Sequence, residues 1–274
     1  MTNSDRRVSP TPPAHYRAGS GEPLVLLHGA TSTWRCWESV LPALVDRYDV
    51  FAPNLPGHAG QPGVRPLTID GMVAAVEAAM DDAGFGTAHI VGNSLGGWGA
   101  MELARRGRAR SVVALAPAGG WAPAEIRVPA LFHSMRRSLQ LGLPALPTLM
   151  RVPVLRRNLL RLVCEHGDRL TTEQALVACY DALTCTLIDD LPRPIVAQTE
   201  PYGDLGIPVL ISWGTSDRLL TMPRYSDPWR KLVPTATWHT NRGVGHVPMF
   251  DDPDLVANTI IDWVTRASAQ RKAS

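Results

Sequence analysis

Ser94, Asp217 and His246 supply a hydroxyl, a carboxylate and an imidazole, the three groups that acyl transfer by a nucleophile, a base and an orienting acid requires. Ser94 lies in VGNSLGGWGAMELARR (91–106), enclosed by Gly92, Gly96 and Gly97. Glycine weakens strands and helices alike, so the clustering has a steric reason. A sharp turn that joins a strand directly to a helix strains its central residue and presses the neighbours together. Absent side chains at Gly92 and Gly96 relieve that collision and leave the serine hydroxyl protruding above a helix N-terminus.

A serine hydroxyl is a poor nucleophile near neutral pH and needs a base. Of eight histidines, His246 in RGVGHVPMFDDP lies in a loop between the last strand-like run and the last helix, at the rim where Ser94 sits. His28 and His58 follow the first two strong runs, and His89 begins a strand at the opposite end. His133 and His166 fall in a central insertion, His15 near the tail and His239 inside a strand. His246 is therefore the expected base. Asp217 in WGTSDRLL follows the penultimate strand and is the expected group that orients the imidazole. Asp251 and Asp252 read as helix-entry residues, and Asp189 and Asp190 as solvated.

The oxyanion of a tetrahedral intermediate needs amide donors. One is expected from Leu95, just after the nucleophile, and one from Ala30 in the loop after LVLLHG. Gly29 permits close backbone approach there, and His28 either braces the loop or is a plain strand-end residue.

The elements that must position these groups can be read from the pattern. Nearly continuous apolar runs, EPLVLLHG (22–29), YDVFAPNLPG (48–57), AHIVGNS (88–94), SVVALAP (111–117) and IPVLISWG (207–214), suit strands covered on both faces. ATWHT (236–240) is a further strand. Helix-period segments alternate with them: one opens at Thr68 with Ile69, Met72, Val73, Val76 and Met80 on one face, one spans 95–107, and one covers 252–267. This alternation predicts an α/β fold with a parallel sheet. It breaks between Trp121 and Asp204, where prolines punctuate short amphipathic segments and TTEQ (171–174) fits a capping box. The expected organisation is a mobile tail at 1–14, a core at 15–121 and 205–267, and a helical cap, or lid, at 122–204.

Composition limits the function classes. A net charge of +2 without a long Lys/Arg run gives no nucleic-acid footprint. No membrane span and no signal peptide are read, and Cys36, Cys164, Cys179 and Cys185 lack zinc spacing. A cytoplasmic protein without metal or cofactor, acting on a small molecule and without a nucleic-acid or membrane partner, is expected. Its oligomeric state stays open.

LLHGATSTWRCW, APNLPGHAG, VGNSLGGW, WGTSDRLL and GVGHVPMFDDP, in this order, closely resemble the α/β-hydrolase superfamily from about Pro23 to Trp263. The resemblance is to its lidded branch of esterases, C–C bond hydrolases and cofactor-free perhydrolases. It implies the α/β-hydrolase fold: a mostly parallel eight-stranded sheet flanked by helices, with a cap inserted after the sixth strand. NLPGHAGQP departs from many relatives, which have a glycine in place of Ala59. Haloalkane dehalogenases and epoxide hydrolases of this fold use a carboxylate nucleophile, which Ser94 disfavours. Hydroxynitrile lyases typically add a lysine near the acid, and Lys231 is displaced from that place.

The expected activity is serine-dependent cleavage of a carboxylic ester, lactone or thioester of a small, largely apolar substrate through an acyl-enzyme. A C–C hydrolase acting on a diketone-type substrate and a non-catalytic small-molecule receptor on the same fold are the alternatives. SLQLGLPALPTLMRVPVL (138–155) lines an acyl pocket or packs as a cap face. Trp34, Trp98 and Trp121 are pocket wall or core. The arginines at 136, 137, 151, 156, 157 and 161 read as a solvated helix face, with carboxylate binding as the other option.

Overall fold

The computed structural model describes residues 11–121, 127–191 and 199–273. Its strands are β1 (His15–Ala18), β2 (Glu22–Leu27), β3 (Tyr48–Pro53), β4 (Ala88–Asn93), β5 (Ala109–Leu115), β6 (Val209–Gly214) and β7 (Thr237–Asn241). They form one sheet in the order β1-β3-β2-β4-β5-β6-β7, parallel throughout except where β1 pairs antiparallel with β3. Seven strands, rather than the eight implied by the resemblance, are therefore present among the described residues. The four-residue β1 ends the sheet on that side, and its short, half-exposed HYRA carries no apolar run that would announce a strand.

The inner strands are buried over most of their length, which explains their nearly unbroken apolar sequences. Alternate residues feed two separate cores. Val25, Leu27, Ile90 and Ile211 face α2 (Ile69–Asp82) and α3 (Leu95–Arg105). Leu24, Leu26, Val91 and Leu210 face α1 (Leu41–Val45) and the long C-terminal helix. Thr68 caps α2 by accepting from Gly71 N, as its sequence suggests.

Between β5 and β6 the described residues are helical: α4 (Arg127–Gly142), α5 (Leu146–Leu149), α6 (Pro153–Leu160), α7 (Thr172–Thr184) and α8 (Leu187–Asp190). This segment follows the fifth described strand, not a sixth, because of the strand count above. Residues 122–126, which hold the expected start of the cap, and 192–198 lie outside the described residues, whereas its expected end at Asp204 falls in the stretch without helix or strand before β6. The capping box of Thr171 and Gln174 opens α7, and the segment has its own small core of Leu146, Met150, Leu160, Cys164 and Cys179. The chain ends with α9 (Ser226–Leu232), α10 (Pro248–Asp251) and α11 (Pro253–Ala273), the last running beyond the expected end at 267. None of the described helices is long and apolar enough to cross a membrane.

Of the expected tail, residues 1–10 lie outside the described residues, whereas Pro13 and Ala14 are anchored rather than loose. The Pro13 carbonyl accepts from Trp34 Nε1 at 3.1 Å and Asn54 Nδ2 at 2.9 Å, and Ala14 O accepts from Asn54 N at 2.8 Å.

The helical segment is tied to the sheet by a buried ionic cluster. Thr33 Oγ1 donates to Asp181 Oδ2 of α7 at 2.6 Å, and Arg35 pairs with the other carboxylate oxygen. Burial pushes the Asp181 carboxyl up from its ordinary value, and Arg35 and Thr33 oppose that shift. Truncating one partner of a buried pair leaves the other uncompensated. Asp181→Ala is therefore expected to lower unfolding free energy by about 3–5 kcal/mol, read from the denaturant midpoint.

Candidate active site

Register places the carboxyl ends of the strands at one rim. Leu27 pairs with Gly92, Asn93 with Leu115, Leu115 with Ser212 and Gly214 with Asn241. The loops that follow β2, β4, β6 and β7 carry Gly29, Ser94, Asp217 and His246, so four distant stretches of sequence converge there.

Ser94 has φ 55° and ψ −115°, outside the regions open to most L-residues. Its backbone is held by hydrogen bonds from Ser94 N to Leu115 O (2.9 Å) and from Ala118 N and Trp98 N to Ser94 O (2.9 and 3.0 Å). A Cβ on Gly92 would lie 2.0 Å from Gly96 O, and one on Gly96 would lie 2.3 Å from Leu27 O. The turn thus excludes side chains at both positions, for the reason read from the sequence. A Cβ on Gly29 would lie 3.2 Å from the Ser94 Cβ, which places the β2 loop against the serine.

His246 is buried and its Nδ1 meets Asp217 Oδ2 at 2.7 Å. Asp217 Oδ1 accepts from Leu219 N and Leu220 N at 2.9 and 2.8 Å, so the carboxylate is held on both oxygens. With Nδ1 donating, Nε2 carries the lone pair; it is buried and has no hydrogen-bond partner. Ser94 and His246 line the same cavity.

Ala30 borders this cavity beside Ser94, and Leu95 borders a second that also reaches Ser94. Leu95 is the first residue of α3, where a backbone N–H has no intrahelical acceptor. His28 does brace its loop: Nε2 accepts from Leu55 N at 2.9 Å and Nδ1 contacts Gly29 O at 2.8 Å.

Three supporting residues were not singled out by their sequence. Asn93 Nδ2 donates to Leu115 O and His246 O at 3.1 and 2.9 Å, joining the elbow strand to the histidine loop. His58 Nε2 accepts from Thr31 N at 3.1 Å and supports the Ala30 loop, in which Thr31 has φ 65°. Asp251 is more than a helix-entry residue. Its carboxylate accepts from Gly245 N at 2.6 Å, beside the histidine, and from Glu165 N and His166 N of the helical segment at 3.1 and 2.6 Å. Only the asparagine beside the serine offers a local cue, a polar residue ending an apolar strand.

Trp98 and Trp121 line the second cavity, with ring centroids 6.3 Å apart. Trp34 does not. Its indole turns away to Pro13 and packs on Tyr16 at 5.3 Å, because the short helical turn after Thr33 points it toward the anchored N-terminal segment. Two of the arginines expected on a solvated face have local tasks instead: Arg156 is buried and donates to Met150, Gly167 and Asp168 carbonyls, and Arg136 pairs with Asp189. Among the described residues no group of three or more His, Cys, Asp or Glu side chains is placed to hold a metal ion.

The first cavity, of about 350 Å³, runs under the helical segment past Leu139, Leu146, Leu149 and Met150. The second, of about 390 Å³, lies between Trp98, Trp121, Leu67 and Leu187. Ala30, Ser94, Phe132 and Leu219 are common to both, so the serine stands where two apolar arms meet.

The chain matches the Alpha/beta hydrolase family over residues 24–259 and belongs to it. It is 32% identical over 208 residues to Epoxide hydrolase EphH of Mycobacterium tuberculosis, a match covering 73% of this chain and 96% of that protein. It is 27% identical over 269 residues to 2-hydroxy-6-oxo-6-phenylhexa-2,4-dienoate hydrolase of Burkholderia cepacia, covering 90% and 89%. Among solved structures, a thermophilic esterase from Thermogutta terrifontis superposes with a TM-score of 0.68 at 20% identity over 93% of both chains. That likeness is one of fold.

The histidines under the loop make stability depend on pH. Burial holds His28 well below the ordinary imidazole value, with His58 beside it adding to the shift, and burial brings His58 down from 6.5 to about 4. Between these values the unfolded chain binds a proton at His58 that the folded chain refuses, so stability falls as pH falls through this window. Thermal melts from pH 7 to pH 4 should show that fall. His58→Asn should start lower at neutral pH and decline less steeply.

Proposed function

We propose that this chain is a serine hydrolase that cleaves a neutral carboxylic ester, lactone or thioester with apolar groups on both sides of the scissile bond. The observation that carries this reading is the buried, unpartnered Nε2 of His246, a residue that lines the cavity of Ser94 and whose Nδ1 is held by Asp217. A pure binding pocket has no physical need for an imidazole prepared in this tautomer.

In the proposed cycle His246 takes the Ser94 proton as the hydroxyl attacks the carbonyl carbon. Asp217 stabilises the imidazolium, and the amides of Leu95 and Ala30 receive the oxyanion. His246 then gives the proton to the leaving group as the carbon–heteroatom bond breaks. Water, deprotonated by the same imidazole, releases the acid and restores Ser94.

The helical segment would act as the cap that shapes both arms. Apart from Asp70 and His246, the described residues lining the two arms carry no ionisable acid or base other than Cys179, whose thiol burial pushes up to about 12. This favours an uncharged substrate. It also disfavours a carboxylated diketone, whose acid would need a cation. The activity named for the 32% identical relative fits this elbow poorly on chemical grounds. Serine opening an epoxide would form an ether, which activated water does not cleave, whereas a carboxylate forms a hydrolysable ester.

Hydrolysis of a p-nitrophenyl ester series of increasing acyl length tests the reading. Wild type should turn over and Ser94→Ala should lose roughly 10⁴-fold or more, since removing the nucleophile disables the triad as a unit. A folded wild type that neither turns over esters nor is labelled at Ser94 by a fluorophosphonate would overturn it. Labelling without ester turnover would keep the triad and redirect the search to C–C bond substrates.

A further inference from the structure

Among the described residues the exposed large apolar side chains are Leu141, Leu143, Val152, Val154, Leu155 and Leu159. All lie on one part of the helical segment, from the end of α4 to α6. Leu141 is 77% exposed and Val154 68%, although burying such a side chain contributes on the order of 1.5–3 kcal/mol. Leu155 and Leu159 lie four residues apart on one face of α6, and Val152 immediately precedes that helix. Gly142 and Leu159 both border the cavity of Ser94, so the two exposed stretches meet at its mouth.

The stretch of chain that carries this patch has charge of one sign, and the acids that reach it, Asp189, Glu165 and Asp168, do so as partners of Arg136 and Arg157. Residues 127–164 contain seven arginines and neither aspartate nor glutamate. Arg136 and Arg157 are paired with Asp189 and Glu165, and Arg156 is buried. Arg137, Arg151 and Arg161 are exposed and have no ion pair among the described residues. A set of exposed aliphatic side chains inside a cationic border has the chemistry of an interfacial surface: apolar groups enter the acyl boundary while guanidinium groups meet lipid phosphates. A second copy of this chain fits worse, because the two arginine borders would face each other.

We propose that the surface formed by the end of α4 and by α6 docks on an anionic phospholipid bilayer. The sequence suggests no membrane partner because its test there is a spanning helix; this contact lies in the plane of the surface and needs none. Leu159 is both exposed and part of the cavity wall, so a molecule dissolved in the lipid would pass from the bilayer to Ser94 without crossing water.

Co-sedimentation with vesicles reads this directly and independently of turnover. Wild type and Ser94→Ala should both bind vesicles of equal phosphatidylcholine and phosphatidylglycerol, release at high salt and ignore phosphatidylcholine alone. Arg137→Gln, Arg151→Gln and Arg161→Gln combined should weaken binding about a hundredfold, each arginine at an anionic surface being worth on the order of fivefold. Leu141→Asp with Val154→Asp should abolish it. Both variants should keep wild-type melting and wild-type turnover of a soluble short-chain ester. Wild type failing to bind anionic vesicles, binding both lipids equally, or binding unchanged in either variant would overturn the proposal. So would lipid-free dimerisation that Leu141→Asp abolishes, since the patch would then be covered by a second copy. An inert wild type that still binds vesicles would sink the hydrolase reading and leave this one standing.

Discussion

The site depends on how closely the first turn of α3 approaches the end of β2. A Cβ on Gly96 would lie 2.3 Å from Leu27 O and 2.6 Å from His28 O, a separation that only glycine permits. That contact brings the helix N-terminus and the β2 loop to one point, with Ser94 between them. The serine is left at φ 55°, ψ −115°, a conformation costing on the order of 1–3 kcal/mol. It persists because its own N–H and C=O are both bonded within the turn, to Leu115, Ala118 and Trp98. Strain, two absent side chains and the exposed end of a helix are one arrangement, and none of its parts would be useful alone.

The rest of the rim is held by buried polar groups with more than one task. Asp217 fixes its own loop with one oxygen and His246 with the other. Asn93 links the strand that precedes Ser94 to the backbone of His246. His28 and His58 tie the Ala30 loop to the turn after β3, each accepting a backbone N–H on Nε2 and packing edge to face at 4.8 Å. Both must be neutral for this, and the low-dielectric interior keeps them so. Preorganisation here is a matter of satisfied donors and acceptors and does not require rigidity in general.

Much of this could be read from the chain because the signals were local. Continuous apolar runs marked the inner strands, and G-x-S-x-G between a strand and a helix marked the elbow. The positions of Asp217 and His246 after their strands followed from the topology. What escaped was non-local or small. β1 has four residues and no apolar pattern, so only its pairing with β3 defines it. Trp34 is indistinguishable from a pocket residue until the turn after Thr33 sets its direction. Asp181 and Asp251 act across 148 and 86 residues, on Thr33 and Glu165, and no spacing rule reaches that far. Ala59, where many relatives have glycine, has φ 48°, a region in which a Cβ is disfavoured, and only the folded turn shows this.

The polar links between rim and helical segment are unevenly placed. Asp181 fastens α7 to Thr33 and Arg35, and Asp251 fastens residues 165 and 166 to the loop of His246, where Val247 N also bonds Val163 O at 2.8 Å. Arg156 stitches α6 to carbonyls of the segment itself, and α4 meets the sheet side through apolar contacts at Val128 and Phe132. One side of the cavity is thus built of buried charge-assisted bonds and the other of aliphatic packing. Local opening is least costly where few buried bonds must break. In the proposed function the chemistry, which tolerates little displacement, sits on the bonded side. The arms that would admit a substrate in that reading are roofed in part by α4, on the side that can yield.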